Sequence, residues 1–427
     1  MLAAMTRVCS LLMARALAAL LIVTAICSLA VSNALRTAVQ QQQQQSYRRT
    51  SSSSRLSSSL GQQESGEESL SKPRWAGADD PLSNVVNFFI NSPLYQIMKP
   101  LARSTLISTA EKNGINWTSR VKFYERNLKA LEKIYDDLVD RQSAVDYPSY
   151  YTKPFHAYDT GNLEYKAAFE VESATYSMAL RVWPGEDGLT AVKAQDRLRY
   201  SYLDTVAGYL NKHGISTEKM KRLIDVGCSA GVSTLYLAEA FKSSATIDAL
   251  DLSPYFLSVA KFQKQRIMDG QLLTADSAVN GENDALFAAE SDAITSRFAS
   301  SGVERINYIL GNAENTALAE SSYDLVSISF MFHELPQLPM QNILNEMFRI
   351  TSVGGVIALT DNNPRSRVIQ NLPPALFTLM KSTEPWSDEY YSFNLEEAMR
   401  EAGYVDVYYS ESDPRHRTLV ARRAVKI

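Results

Sequence analysis

Cysteine is almost absent from this chain of 427 residues, which contains 3. Two of them, Cys9 and Cys27, lie in an apolar N-terminal stretch, so the rest of the chain keeps only Cys228. One thiol cannot close an intramolecular disulfide or form a cysteine-based zinc cluster. The sequence therefore excludes a disulfide-stapled fold built for an oxidising exterior, and we expect no metal site.

Acidic residues are missing from the first 63 positions, which hold arginine as their only charged residue. Because the whole chain has a net charge of -4, the part after this segment is more acidic than the chain as a whole. A region with a net negative charge is repelled by the phosphate backbone of nucleic acids and by an anionic membrane surface. We expect no nucleic-acid partner.

An uncharged, mostly apolar stretch occupies residues 16–35, with Arg7 and Arg15 before its core and small residues near its end. This arrangement predicts a cleavable signal peptide over residues 1–34. An uncleaved membrane anchor is the alternative, since about 20 apolar residues can span a bilayer. If the leader is cleaved, we expect no stable membrane span in the mature chain.

Residues 35–80 contain glutamine and serine runs with scattered arginine, and their first acid is Glu64. Such composition is typical of a transit peptide, although a plain disordered linker would look similar. A signal peptide followed by a transit peptide resembles the bipartite presequence of algae with secondary plastids. We therefore predict a plastid location, with the secretory pathway as the alternative, in which Asn116 of an Asn-Trp-Thr triplet would be a glycan acceptor.

Residues 81–205 predict a helical, aromatic-rich cap that would cover a substrate. Apolar residues from Phe123 to Val139 recur at three- and four-residue steps, as in an amphipathic helix. A loop rich in tyrosine and proline follows at residues 147–159, and two more helices are predicted over residues 165–181 and 192–210.

Strands alternate with helices over residues 206–427, which predicts an α/β fold, a doubly wound, mostly parallel Rossmann-like sheet. A short antiparallel hairpin is expected at its edge. Residues 268–305 form a long polar segment between two predicted elements. We interpret this segment as a surface insertion with one helix, outside the cofactor site. The predicted strands are 222–226, 246–251, 306–310, 323–330, 355–361, 405–410 and 418–425, with helices at 232–241, 254–266, 340–350 and 394–402.

The first predicted strand leads into a glycine-containing turn that opens a helix, from Asp225 through Gly227 and Gly231. Glycine lets a backbone approach a ligand closely, and a helix N-terminus offers unpaired N–H groups. A nicotinamide site would need a third glycine near position 232. The acid before the turn instead suits a cation, such as the amino group or sulfonium of S-adenosylmethionine (SAM).

Polar side chains also follow the next strands. Asp251 ends the second strand, where a carboxylate can accept hydrogen bonds from ribose hydroxyls, and Asp248 is its competitor. Asn312 follows the third strand and could accept from an adenine amino group. The fourth strand leads into an aromatic, ionisable rim that contains Phe330 and His333.

These four segments, in this order, resemble the class I SAM-dependent methyltransferases. The resemblance implies that Asp225 holds the methionine amino group, that the glycine turn passes under the methionine, and that Asp251 binds ribose. Two departures from the family pattern are Ser229, where glycine is usual, and Asn312, where aspartate is more common. The implied SAM-binding residues are Asp225, Gly227, Cys228, Ser229, Gly231, Asp251, Leu252, Asn312, Ala313 and Phe330.

Residues 151–163, 361–391 and 414–418 resemble a plastid-type branch of these methyltransferases in plants and algae. That resemblance implies a location and leaves the substrate open. We predict methyl transfer from SAM to a small, partly apolar molecule, and the alternative is a non-catalytic SAM-fold protein that binds a partner, whose identity the sequence leaves unknown.

His333 is the candidate catalytic residue, because methyl transfer to a hydroxyl, thiol or amine can require a general base. It could equally be a residue that starts a helix. Cys228 is better explained as a small turn residue than as a nucleophile. His156 and Tyr158 could line an acceptor pocket, although packing within the fold is the favoured interpretation. His416 would belong to the edge hairpin. Tyr390 and Tyr391 would follow a loop that closes over the acceptor.

Overall fold

The computed structural model describes residues 73, 75–76, 93–141, 146–273, 282–372 and 380–424. The predicted signal peptide and nearly all of the predicted transit segment lie outside these residues. Ser71–Asn371 and Met380–Ile427 form one compact unit, to which almost all described residues belong. Among the described helices, none is both long and apolar enough to cross a bilayer.

A seven-stranded sheet forms the centre of this unit. Its order is β3-β2-β1-β4-β5-β7-β6, and the first five strands run parallel while β7 is antiparallel to both β5 and β6. The predicted Rossmann-like sheet with an antiparallel edge hairpin is confirmed. The strands are β1 Arg222–Val226, β2 Thr246–Asp251, β3 Ile306–Leu310, β4 Tyr323–Ser329, β5 Thr351–Asn362, β6 Tyr404–Ser410 and β7 His416–Arg423.

Helices cover both faces of the sheet, as expected for parallel strands whose two faces are buried. Leu223, Ile224 and Val226 of β1 are fully buried, so the core continues through the centre of the sheet. The helices of this α/β region are α6 Val232–Ala240, α7 Pro254–Met268, α8 Glu282–Phe298, α9 Gln337–Ile350, α10 Arg367–Gln370, α11 Ser387–Ser392 and α12 Leu395–Glu401.

Within the described residues, five α-helices precede the first strand. They are α1 Pro93–Lys112, α2 Trp117–Arg126, α3 Leu128–Asp140, α4 Tyr165–Leu180 and α5 Ala191–Lys212. The single amphipathic helix predicted from Phe123 to Val139 is wrong, because the helix breaks at Asn127. The backbone leaves the helical region there (φ -101°, ψ 12°), and the Asn127 amide bonds the carbonyl of Phe123 at 2.8 Å. Asparagine competes for backbone partners in this way and favours helix ends.

The polar insertion contributes one described helix, α8, as predicted, and that helix is partly buried. Phe287 packs with Phe123 of α2, with ring centroids 5.6 Å apart. The buried Arg120 of α2 lies 2.6 Å from Glu290 of α8, so a desolvated ion pair joins the two helices. The described part of the insertion thus extends the helical core.

Candidate active site

The turn after β1 requires its glycines. Gly227 and Gly231 have φ of +71° and +84°, a region that side chains disfavour. A Cβ on Gly227 would lie 2.5 Å from Sδ of Met331, and one on Gly231 would lie 2.4 Å from the hydroxyl of Tyr308. Ser229 is also left-handed, with φ of 51°, which explains why glycine is usual at its position.

Asp225 ends β1 with a carboxylate that is only half satisfied. Its Oδ2 accepts hydrogen bonds from the hydroxyls of Ser233 and Thr234 at 2.7 Å each. Its Oδ1 is buried and has no hydrogen-bond partner among the described residues. Burial raises the pKa of Asp225 above its ordinary value. A buried acceptor without a donor is costly, so this oxygen is suited to a ligand cation.

Arg199 of α5 is a feature that the sequence did not identify. It is buried, and its Nε has no hydrogen-bond partner among the described residues. Burial lowers its pKa, which the nearby Asp225 charge partly counteracts. Arg199, Ser233 and Ser329 line one small cavity, and the Ser329 hydroxyl is likewise buried without a partner. The cavity offers an anionic ligand group a cation and a donor beside Asp225.

Asp251, at the end of β2, is held rigidly by backbone donors. The N–H groups of Ser229 and Ser253 each donate to one of its oxygens at 2.8 Å. Burial raises its pKa to about 6. Its competitor Asp248 instead accepts from the Tyr323 hydroxyl at 2.6 Å, so Asp251 is the acid placed beside the turn.

The predicted adenine segment follows β3 and meets the same edge of the sheet. The N–H of Gly311 donates to the Asp251 carbonyl at 2.9 Å. The side-chain oxygen of Asn312 accepts from the Glu314 N–H at 2.8 Å, so an adenine donor would have to share that oxygen. Leu252 is buried at the end of β2, and Ala313 is half-buried.

The aromatic loop, residues 147–163, is bonded to three of the strand ends that form this site. Tyr150 donates to Glu314 at 2.7 Å, and Asn162 donates to Glu334 at 3.0 Å. The Ser253 hydroxyl donates to the Asn162 carbonyl at 2.6 Å. Burial and the charges of Asp251 and Glu334 raise the pKa of Tyr151 well above its usual range. The loop therefore lies over the strand ends.

His333 lies in a short 3-10 turn, Phe332–Glu334, just after β4. Its Nδ1 lies 2.8 Å from Oδ1 of Asp361, and its backbone N–H donates to Oδ2 of the same residue at 3.1 Å. Burial disfavours the charged ring, but the Asp361 carboxylate outweighs this effect and raises the pKa of His333 to about 10. His333 is thus both a turn residue and a fixed polar group that faces inward.

A second histidine lies near His333. The ring centroids of His156 and His333 are 6.4 Å apart, and Nε2 of His156 is 3.9 Å from Oε1 of Glu384. The His156 side chain is 40% exposed, and its ring packs against that of Phe155 with centroids 3.9 Å apart. Tyr158 does pack, with its hydroxyl 2.5 Å from Glu170.

Buried aromatic side chains pack beside these histidines. Tyr390 meets the His333 ring edge-on, with centroids 6.3 Å apart, and Tyr391 contacts Trp75 in the same manner at 4.9 Å. We call the region around His156, His333, Glu384, Tyr390 and Tyr391 the acceptor pocket.

The remaining candidates have structural roles in this fold. The Cys228 thiol is buried, and burial followed by the charges of Asp251 and Asp225 raises its pKa well above its usual range, which disfavours a nucleophile. His416 bonds Asp413 at the β6–β7 connection, as predicted for the edge hairpin. Phe330 is left-handed (φ 56°), which ends β4 one residue earlier than predicted.

Comparison with known proteins relates part of this chain to a family. Residues 278–359 match the family model described as a methyltransferase domain. The glycine turn, the Asp225 oxygen without a partner among the described residues and the fixed Asp251 carboxylate precede the matched segment, and they fit S-adenosylmethionine, the cofactor that the sequence predicts.

Curated relatives are methyltransferases as well. The chain is 26% identical over 164 residues to an uncharacterized methyltransferase of Synechocystis sp., covering 38% of this chain and 58% of the relative. It is 24% identical over 210 residues to a demethylmenaquinone methyltransferase of Geobacillus sp., covering 45% and 74%. The chain thus spans little more than half the length of the first relative.

A solved structure of a putative sarcosine dimethylglycine methyltransferase from Galdieria sulphuraria is also similar. It is 14% identical with a TM-score of 0.35, over 60% of this chain and 100% of the other.

Proposed function

We propose that this protein transfers a methyl group from SAM to a nucleophilic atom of a small, partly apolar molecule. The observation that carries the proposal is the position of the buried Asp361–His333 pair. His333 lies two residues after Met331, whose side chain packs against Gly227 of the turn that follows Asp225. A methyl donor on the turn and an acceptor in the pocket would then meet at the end of β4.

SAM supplies a methyl group on a sulfonium that is already an activated leaving group. The protein's task is then to align the acceptor and exclude water. Asp225 would hold the methionine amino group, Arg199 its carboxylate, and Asp251 the ribose. The aromatic loop would close the strand ends over the cofactor.

The acceptor pocket favours an aromatic or otherwise flat molecule with a polar group at one end. Tyr390, Tyr391 and Trp75 form a buried aromatic cluster that packs against His333, and His333 would offer the polar contact. The relative from Geobacillus sp. is named for demethylmenaquinone. We include quinol-like acceptors in the proposal on that ground.

The test is titration calorimetry of the full chain with SAM, S-adenosylhomocysteine and NAD(H). We expect micromolar binding of the first two and none of the third. Asp251→Ala should abolish SAM binding with an unchanged circular dichroism spectrum. If SAM does not bind the wild-type chain, the non-catalytic interaction protein becomes the better interpretation.

We also propose a plastid location, supported by the signal-like residues 1–34 and the transit-like residues 35–80. A fusion of residues 1–80 to a fluorescent protein should enter the plastid of an alga with secondary plastids. Residues 1–34 alone should deliver the reporter only to the secretory pathway. Secretion of the longer fusion would overturn this proposal.

A further inference from the structure

Three potential metal ligands converge in the acceptor pocket from distant parts of the chain. The ligand atoms of His156, His333 and Glu384 all lie within 4.8 Å of one another. Two of these atoms, Nε2 of His156 and Oε1 of Glu384, are 3.9 Å apart. Ligands of a tetrahedral zinc ion with bonds of about 2.1 Å are separated by about 3.4 Å. Small side-chain rotations would therefore bring the three atoms into coordination distance.

Asp361 orients His333 in the way typical of metal-binding histidines. Its carboxylate lies 2.8 Å from Nδ1 of the ring, which leaves Nε2 for a ligand. Asp361 is fully buried and also accepts the backbone N–H of His333, so the ring cannot turn freely. A carboxylate behind a ligating imidazole fixes its orientation and increases its basicity.

The Glu384 carboxylate has an oxygen that accepts no hydrogen bond from the described residues. Its Oε2 is buried and has no hydrogen-bond partner within the part of the chain that the structure describes. Its other oxygen faces His156 at 3.9 Å, beyond hydrogen-bond distance. A buried carboxylate is normally paired with a donor or a cation, and here one nitrogen of each imidazole lies within 4.8 Å of a Glu384 oxygen.

His156 is held toward this cluster by its backbone. Its φ is 48°, in the left-handed region that few residues other than glycine adopt. Its N–H donates to the carbonyl of Thr383 at 2.8 Å, which ties the aromatic loop to the segment that carries Glu384. Non-glycine residues in this conformation cluster at functional sites.

The charge around the two imidazoles favours a cation. Asp361, Glu384 and Glu334 all interact with His333, and Arg181 and Arg415 balance part of this negative charge at Glu384. The cluster thus combines two imidazole rings and one carboxylate with a further carboxylate behind them.

We propose that His156, His333 and Glu384 bind one divalent transition-metal ion of the zinc, iron and manganese class. Imidazole and carboxylate together suit these ions, and three protein ligands leave a coordination position open. Resting on the proposed function, we assign that position to a hydroxyl of the methyl acceptor.

The ion would lower the pKa of this hydroxyl, which loses its proton to water. The hydroxyl oxygen then forms a bond to the methyl carbon as the carbon–sulfur bond breaks. The electron pair of the broken carbon–sulfur bond stays on sulfur. The products are a methyl ether and S-adenosylhomocysteine. In this role His333 holds the ion and does not act as the general base.

The test is titration of the full chain, stripped with a chelator and free of SAM, with Co²⁺. We expect one ion per chain and visible ligand-field bands typical of nitrogen and oxygen ligands. Glu384→Gln keeps the side-chain shape, and His156→Asn tolerates the left-handed backbone. Each should weaken Co²⁺ binding at least tenfold, and Asp361→Asn should weaken it about 10- to 100-fold.

His213→Ala is the matched control, since His213 lies at the far end of α5 against Tyr209. Absence of Co²⁺ binding, or equal losses in His213→Ala and Glu384→Gln, would overturn the proposal. Unchanged affinity in Glu384→Gln would do so too. Calorimetry with SAM, run separately, distinguishes this failure from failure of the proposed function: SAM binding without metal binding would overturn the metal site and leave the proposed function standing.

Discussion

At the scale of single residues, Asp251 links pH to cofactor affinity. Burial raises its pKa to about 6, so the carboxyl is increasingly protonated as the pH falls below that value. Protonation removes the negative charge and turns one acceptor site of the carboxyl into a donor, which weakens its hydrogen bonds from ribose hydroxyls. We expect the Kd for SAM to rise as the pH falls from about 7 to about 5, measured by calorimetry.

Asp251→Asn should bind SAM weakly and with little pH dependence over the same range. Asp248→Asn is the control that should keep the wild-type profile, because Asp248 is bonded to Tyr323 away from the turn. A wild-type Kd that does not change between these pH values would contradict the ribose assignment.

Asp225 is expected to show a conflict between stability and binding. Its Oδ1 is buried without a partner, so the charge costs free energy in the free protein. Asp225→Asn should therefore leave the Tm of the free protein unchanged or raised, while the affinity for SAM falls at least about tenfold because a charged hydrogen bond is lost. Differential scanning calorimetry with and without SAM measures both effects. A lowered Tm in the absence of SAM would show that the carboxylate is mainly structural.

At the scale of secondary-structure elements, the β1–α6 turn tolerates no added side chain. Gly231→Ala would place a methyl group 2.4 Å from the Tyr308 hydroxyl at a φ of +84°. We expect a loss of about 1–3 kcal/mol in the free energy of unfolding and weaker SAM binding, measured by urea denaturation and calorimetry. Gly208→Ala is the control, because Gly208 lies inside α5 with open space around it. That variant should be neutral or stabilising by up to about 1 kcal/mol. Equal effects of the two substitutions would contradict the argument.

The aromatic loop should control how fast the cofactor leaves. Tyr150→Phe removes the hydrogen bond to Glu314 and keeps the ring, so we expect faster dissociation of SAM, measured by stopped-flow fluorescence. Tyr200→Phe is a control of the same chemistry, because Tyr200 bonds Glu239 on the outer side of α5. An equal dissociation rate in Tyr150→Phe and the wild type would show that the loop is not a barrier.

Most of the sheet could be predicted at this scale, because the alternation of apolar strands and helices is a local pattern. The bounds of β1, β2 and β3 agree with the prediction, and the antiparallel edge is confirmed. The break at Asn127 was missed because the apolar periodicity continues across it. β5 begins at Thr351, earlier than predicted, since glycines at 354 and 355 hide its first residues in the sequence.

The candidate site was only partly predictable, for a related reason. Asp225 and Asp251 follow strands, and their position at the sheet edge follows from the strand pattern. Arg199, Asp361 and Glu384 belong to no motif, and tertiary packing alone brings them to the site. No spacing in the sequence relates His156 to His333, because the aromatic loop must first fold over the strand ends.

At the scale of the whole molecule, the candidate site combines α5, the aromatic loop, the strand ends and the segment that carries Glu384. A cofactor that binds only the folded state stabilises it by about 2.7 kcal/mol at a concentration of 100 times Kd. We expect SAM to raise the Tm of the full chain and NAD(H) to leave it unchanged, measured by differential scanning fluorimetry. No shift at saturating SAM would contradict the proposed function.

The single thiol outside the predicted leader gives the chain a built-in reporter. Cys228 is buried within the turn, and its N–H is bonded to the Leu250 carbonyl of β2 at 3.1 Å. An alkylating reagent can reach this sulfur only when the turn is uncovered. The rate at which the native protein is alkylated therefore reports how often the strand ends open, and no engineered label is needed to measure it. Ligands that close the loop should slow this alkylation.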